Sequence, residues 1–264
     1  MIELVTDADS RRVMCTVDPD DGGRIVSLAV DGRELFVNTA DPMMRGCYPM
    51  VPFAGRVRDA RLEFDGRTHP LRPNAAPHSI HGTVFDRPWT VSGRTASSVL
   101  LSIDLGPDWP FRGFAQHHIG VRPDGLDLEL SVTAHDRMPA QVGWHPCFTK
   151  PSTTRLAFDH MLVRDAAGIT TGSPRAADPM TALPGNVDDC FVGVSTPDGR
   201  LRLTVSGIDI SLSSDCEHWV VYDQPVDSTC VEPQSGPPNE VNDHPHILEA
   251  GGSLARFLTI EWDS

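Results

Sequence analysis

The strongest constraint on this chain is a two-residue hydrophobic period that recurs where helical periodicity does not. Leu126-Asp-Leu-Glu-Leu-Ser-Val132 alternates apolar and polar residues, the pattern of a strand with one buried face. Further strands are expected at Arg24–Val30, Leu62–Phe64, Val99–Leu105, His117–Val121, Leu201–Val205, Asp209–Leu212, His218–Tyr222 and Ala255–Trp262. Between them stand Asp31-Gly32, Asp65-Gly66, Asp124-Gly125 and Asp198-Gly199, dipeptides suited to the positive φ of tight hairpins. The 23 prolines and 22 glycines are dispersed, which fits many short strands and long loops better than a linker. Large all-β units commonly reach about 200–250 residues. One antiparallel β-sandwich domain spanning residues 1–264 is therefore expected.

The residues of 170–185, TTGSPRAADPMTALPG, form the best candidate for a long irregular loop, either surface padding or a cleft wall. A net charge of −14 disfavours nucleic acid and anionic membranes as partners. The six cysteines are spread singly, without a CxxC pair, and are read as reduced thiols. The start, MIELVTDADSRR, lacks the basic and apolar regions of a signal peptide, and no run approaches the roughly 18 apolar residues of a membrane span. A cytoplasmic address is the expectation.

Five polar residues stand out by their surroundings. His145 lies in Trp144-His145-Pro146-Cys147-Phe148, where an imidazole beside an aromatic could hold a sugar face and pass a proton. Glu232 lies in Cys230-Val231-Glu232-Pro233-Gln234, among neighbours whose burial would raise a carboxyl towards neutrality, as a general base needs; pairing with an arginine for structure is the equal alternative. Arg56 and His81 each adjoin a glycine in segments read as loops, and their donors and acceptors fit vicinal hydroxyls. Of Asp188 and Asp189, which precede Cys190-Phe191, only one would enter a site, because adjacent strand residues point to opposite faces. Any one of these residues, taken alone, also reads as ordinary structure.

Together the segments are similar to bacterial members of the aldose 1-epimerase, or galactose mutarotase-like, family. The likeness runs from about Gly46 to the C-terminal strand and rests on Pro52-Phe53 ahead of Arg56, His81-Gly82 with Trp89, His145-Pro146-Cys147-Phe148, Asp188 three residues before Phe191, and Glu232-Pro233. The resemblance implies a large antiparallel β-sandwich, the supersandwich of galactose mutarotases, without a cofactor or metal and acting on a small sugar. It implies that Glu232 and His145 exchange protons with the sugar while Arg56, His81 and Asp188 hold its hydroxyls. The chain departs from the family pattern at Gly55, where many members have Asn, at Thr83 after His81-Gly82, and at Trp144-His145-Pro146-Cys147-Phe148 in place of an Asn-His-Ser-Tyr-Phe-like segment. Substrate choice thus stays open.

Three other readings compete. Arg45, Arg56, Arg58 and Arg61 could serve a hexose 6-phosphate. The scaffold could bind carbohydrate without turnover, although binding alone needs no matched acid and base. Asp243, His244 and His246 could hold a metal, but in a spacing that matches no recognised ligand pattern.

Overall fold

In the computed structural model, which describes residues 1–8, 11–171, 174–180, 183 and 185–262, the Asp-Gly signals divide into two kinds. Asp31-Gly32 and Asp65-Gly66 each place two residues at positive φ (50° and 75°; 50° and 71°). They close hairpins between Arg24–Val30 and Arg33–Glu34 and between Arg61–Phe64 and Arg67–Pro70. At Asp124-Gly125 the pairing of Arg122 with Gly125 makes Pro123 and Asp124 the turn, and Gly125 opens the next strand. Asp198-Gly199 instead lies on a crossover from one sheet to another, so it does not punctuate a hairpin.

Two large antiparallel sheets result. The larger runs in the order Ile2–Ala8, Arg11–Asp18, Arg24–Val30, Cys47–Met50, Gly143–Thr149, Ser228–Gln234, His218–Tyr222, Asp188–Val194, Phe158–Leu162 and Arg175–Ala176. The smaller runs Thr90–Arg94, Ser98–Asp104, Gly113–Arg122, Gly125–Ala134, Ser253–Trp262, Ile208–Ser214, Leu201–Val205 and Thr153–Arg155. The fold is the all-β antiparallel sandwich that the alternation predicts. The only α-helix among the described residues is one turn, Glu240–Asp243.

One buried apolar cluster joins the sheets, with Val13, Ile25, Trp144 and Val231 from the larger and Leu101, Ile119, Leu128 and Leu258 from the smaller. Each such side chain stabilises the fold by roughly 1.5–3 kcal/mol relative to exposure. A polar tie crosses the same core: Trp144 Nε1 donates to His117 Nε2 at 3.1 Å. Burial also pushes the His117 imidazole down to about 3, so it stays neutral and can accept that bond.

Strands of the smaller sheet alternate buried and half-buried positions, as Gly113–Arg122 does throughout. Gly143–Thr149 and Ser228–Gln234 do not alternate, being buried on both faces. One face meets the sandwich core and the other lies under loops. Of the segment expected to be one long loop, residues 172–173, 181–182 and 184 lie outside the described residues; the rest includes the short strand Arg175–Ala176 and a bridge from Met180 to Leu156.

Candidate active site

Strand register alone brings the histidine and glutamate together. Gly143 pairs with Gln234 and Cys147 with Cys230, which sets His145 across from Glu232. On its other side His145 pairs with Tyr48. One row further, Cys230 pairs with Tyr222 and Tyr222 with Asp188. Because residues opposite one another or two apart share a sheet face, these side chains form one patch on the face away from the core. Asp188, rather than Asp189, belongs to that patch.

Loops wall the patch into a cleft of about 580 Å³ whose lining includes Arg56, His81, His145, Asp188 and Glu232, all five of the residues singled out in the sequence. A larger groove of about 800 Å³ lies on the smaller sheet, but two of its three arginines are already occupied, Arg200 by Glu261 and Arg202 by Asp198.

Arg56 and His81 are set by a two-strand ribbon in which Arg56–Val57 pairs with Ser79–Ile80. Asn74 clamps that ribbon, donating to Ile80 O at 3.0 Å and accepting from Ile80 N at 2.8 Å. His81 itself takes φ 59°, and its amide donates to Gly55 O at 3.0 Å. A left-handed histidine costs on the order of 1 kcal/mol, a strain that the packed ribbon holds in place at the cleft wall. Gly82 follows at φ 82°, where a Cβ would lie 2.1 Å from Val51 O, so no larger residue fits that turn. The Arg56 guanidinium lies against Gly168, whose added Cβ would come within 2.5 Å of Nη1.

On the floor, His145 Nε2 lies 3.3 Å from Glu232 Oε1. Its ring stacks on Tyr48 (centroids 4.7 Å apart, planes 10° apart) and meets the edge of His81 at 4.8 Å. Glu232 Oε2 accepts from Gln234 Nε2 at 3.1 Å. Two buried polar atoms of cleft residues, Gln234 Oε1 and His81 Nδ1, have no hydrogen-bond partner in the protein. Asp188 is fixed by a short hydrogen bond from Arg164 Nη2.

Electrostatics follow from this burial. Glu232 is pushed up to about 8, first by burial and then by the Asp188 charge. His145 is pushed down to about 3 by burial and by the buried Arg24 guanidinium. His81 falls well below its ordinary value by burial, His145 and Arg56. The floor therefore favours the uncharged pair, with the shared proton on the carboxyl.

The structure corrects the cysteine reading. Cys147 and Cys230, 83 residues apart, are joined in a disulfide; Cys15, Cys47, Cys190 and Cys216 are free and buried. The register that aligns His145 with Glu232 also sets these two cysteines face to face, which spacing in sequence does not show. Tyr48, Gln234 and Arg164 were not anticipated, although Gln234, two residues from Glu232 on the same strand face, could have been found by alternation. Among the described residues, the side-chain groups able to hold a metal are His145-Cys147-Cys230 and His81-His145-Glu232, and neither includes Asp243, His244 or His246.

The sequence profile of the aldose 1-epimerase family matches residues 4–259. The chain belongs to the aldose 1-epimerase family. It is 31% identical to the uncharacterized protein YphB of Escherichia coli K12 over 115 residues, a match that spans 42% of this chain and 39% of that protein. The fold is similar to that of the GalM/aldose epimerase homologue from C. elegans, with a TM-score of 0.84 at 16% identity, covering 99% of this chain and 98% of that one. It is also similar to a galactose mutarotase-like protein from Clostridium acetobutylicum, with a TM-score of 0.83 at 15% identity, covering 98% and 94%. Family membership supports a sugar epimerase or mutarotase-like role for the protein. No helix among the described residues is long and apolar enough to cross a membrane.

Proposed function

We propose that this protein interconverts the α and β anomers of a neutral aldose by opening and reclosing the ring, with no metal or organic cofactor in the reaction. The observation that carries the reading is the buried Nε2–Oε1 contact of 3.3 Å between His145 and Glu232 on the floor of a cleft that Arg56, His81 and Asp188 also line.

Ring opening needs a proton removed from the anomeric hydroxyl and one delivered to the ring oxygen. With a bound pyranose, the Glu232 carboxylate takes the first and the His145 imidazolium gives the second. The pair then stands as carboxylic acid and neutral imidazole. Rotation about C1–C2 presents the other carbonyl face, and reclosure returns the proton from Glu232 to the new anomeric oxygen while His145 takes the proton of the ring hydroxyl. Across the cycle one proton moves from His145 to Glu232 and back. The protonation state that burial favours in the cleft is the one that accompanies the open chain. Arg56, His81 and Asp188 would hold the remaining hydroxyls so that the aldehyde recloses before it diffuses away.

The charge of the cleft favours a neutral sugar over a hexose 6-phosphate. Its lining carries Asp41, Asp188 and Asp227 against Arg56 and Arg164, and Arg164 already engages Asp188. Of the other arginines that a phosphate reading would use, Arg45 is paired with Asp21 and Arg58 with Asp165, and neither lines the cleft.

The test is exchange NMR of anomer interconversion over glucose, galactose, other aldoses and glucose 6-phosphate, with Glu232→Gln and His145→Asn as controls. Acceleration of at least one neutral aldose is expected, with each substitution lowering it by about 10²–10⁴-fold. Binding of sugars without any acceleration would make this a carbohydrate-binding protein. Competitive inhibition by millimolar inorganic phosphate would favour the phosphorylated substrate.

A further inference from the structure

The Cys147–Cys230 disulfide lies one row from the His145–Glu232 pair on the same sheet face, joining cysteines whose Cα atoms are 4.1 Å apart. His145 faces both features, with Nε2 towards Glu232 and Nδ1 at 3.3 Å from Cys147 Sγ. One donor atom from each of His145, Cys147 and Cys230 falls within 4.8 Å of the others, and all three residues are buried.

We propose that the disulfide masks a thiophilic metal site, and that the reduced protein binds one Zn²⁺ through Cys147 Sγ, Cys230 Sγ and His145 Nδ1. Two thiolates and an imidazole form a donor set that zinc prefers, and three protein ligands leave its fourth position open. Thiolate sulfurs about 2.3 Å from zinc sit about 3.8 Å apart in a tetrahedral site. Cysteines facing each other on adjacent strands reach that separation by side-chain rotation.

The electron and proton balance is closed. A dithiol attacks one sulfur of the disulfide and its second thiol resolves the mixed disulfide, so two electrons pass to the protein, which gains two thiols, and the reductant becomes a disulfide. Zinc then displaces the two thiol protons into solvent. The alternative cluster, His81, His145 and Glu232, engages the other side of the ring and does not depend on redox state.

A consequence for activity rests on the anomerisation reading, whereas metal binding does not. A cation on Nδ1 prevents His145 from becoming an imidazolium, so the zinc-bound reduced protein should not interconvert anomers.

The experiment uses the full chain in two preparations, one purified under a dithiol reductant and one oxidised. Thiols counted after denaturation should number six in the first, all the cysteines of the sequence, and four in the second. Co²⁺ is then titrated without sugar. The reduced protein should take up one Co²⁺ per chain, with thiolate-to-cobalt charge transfer in the near ultraviolet, and Zn²⁺ should displace it. The oxidised protein and Cys230→Ser should lack the charge-transfer band. If Cys230→Ser does not fold, His145→Asn replaces it and should weaken uptake at least tenfold. Failure to reach six thiols, equal uptake by both preparations, or uptake without charge transfer would overturn the proposal. Where a sugar substrate is in hand, zinc should suppress exchange only in the reduced protein, and chelation should restore it. Intact cobalt binding without that suppression would count against the proton-donor role of His145 alone.

Discussion

Glu232→Gln should lower anomer exchange by about 10²–10⁴-fold and at the same time stabilise the protein, by an amount that grows with pH. Burial raises this carboxyl from 4.5 to about 8 in the folded state. Well below pH 4.5, folded and unfolded chains both hold the proton. Between 4.5 and 8 the unfolded chain ionises first, so the wild type loses stability as pH rises; above 8 both states are ionised and the deficit stays constant. At 1.36 kcal/mol per pH unit the full deficit reaches roughly 5 kcal/mol. Glutamine has nearly the same shape and no charge, so it removes the deficit. The buried His145 behaves with the opposite sign: held at about 3, it costs stability only as pH falls from 6.5 towards 3, in both proteins. Urea unfolding of wild type and variant at several pH values between 4.5 and 8.5 is the assay, read from midpoints at matched slopes. The variant's advantage should be small at pH 4.5 and a few kcal/mol at pH 8.5. Parallel stability profiles, or a variant less stable at pH 8.5, would refute the claim that this carboxyl is buried at a cost.

Gln234→Leu removes both the bond to Glu232 and an unpartnered acceptor. Since that bond favours the ionised carboxyl, kcat should drop about tenfold and the alkaline limb of its pH profile should move upwards, a shift that loss of packing alone would not produce. Gly82→Ala forces a Cβ onto Val51 O at φ 82° and should cost about 2 kcal/mol or more in thermal unfolding, with KM rising because His81 is displaced.

Much of the sandwich can be read in the sequence because its smaller sheet alternates. Leu201–Val205 in that sheet has the expected bounds, as do Arg24–Val30 and His218–Tyr222 in the larger one. The strands that carry His145 and Glu232 are harder to read for a physical reason. Buried on both faces, they show no period of two, and their prolines argue against central strands. The site is marked instead by polar residues in apolar settings, and the structure brings all five into one cleft. Two kinds of information are hidden in the sequence. Register fixes which of Asp188 and Asp189 shares the His145 face, and it also fixes which of six cysteines meet. Loop closure decides which arginine reaches the cleft, and Arg45 and Arg58 are taken by Asp21 and Asp165.

The strand Gly143–Thr149 turns Trp144 to the other sheet, where it donates to His117, and turns the next residue, His145, to the cleft. The floor of the cleft is thus anchored through the whole thickness of the sandwich, while its walls come from loops around Met43, Arg56 and His81. Under the proposed function, substitutions that alter which sugar fits can accumulate in those walls without moving His145 and Glu232. A lineage built this way is free to drift in substrate while its chemistry stays fixed, and libraries aimed at new specificity belong in the loops rather than on the strands.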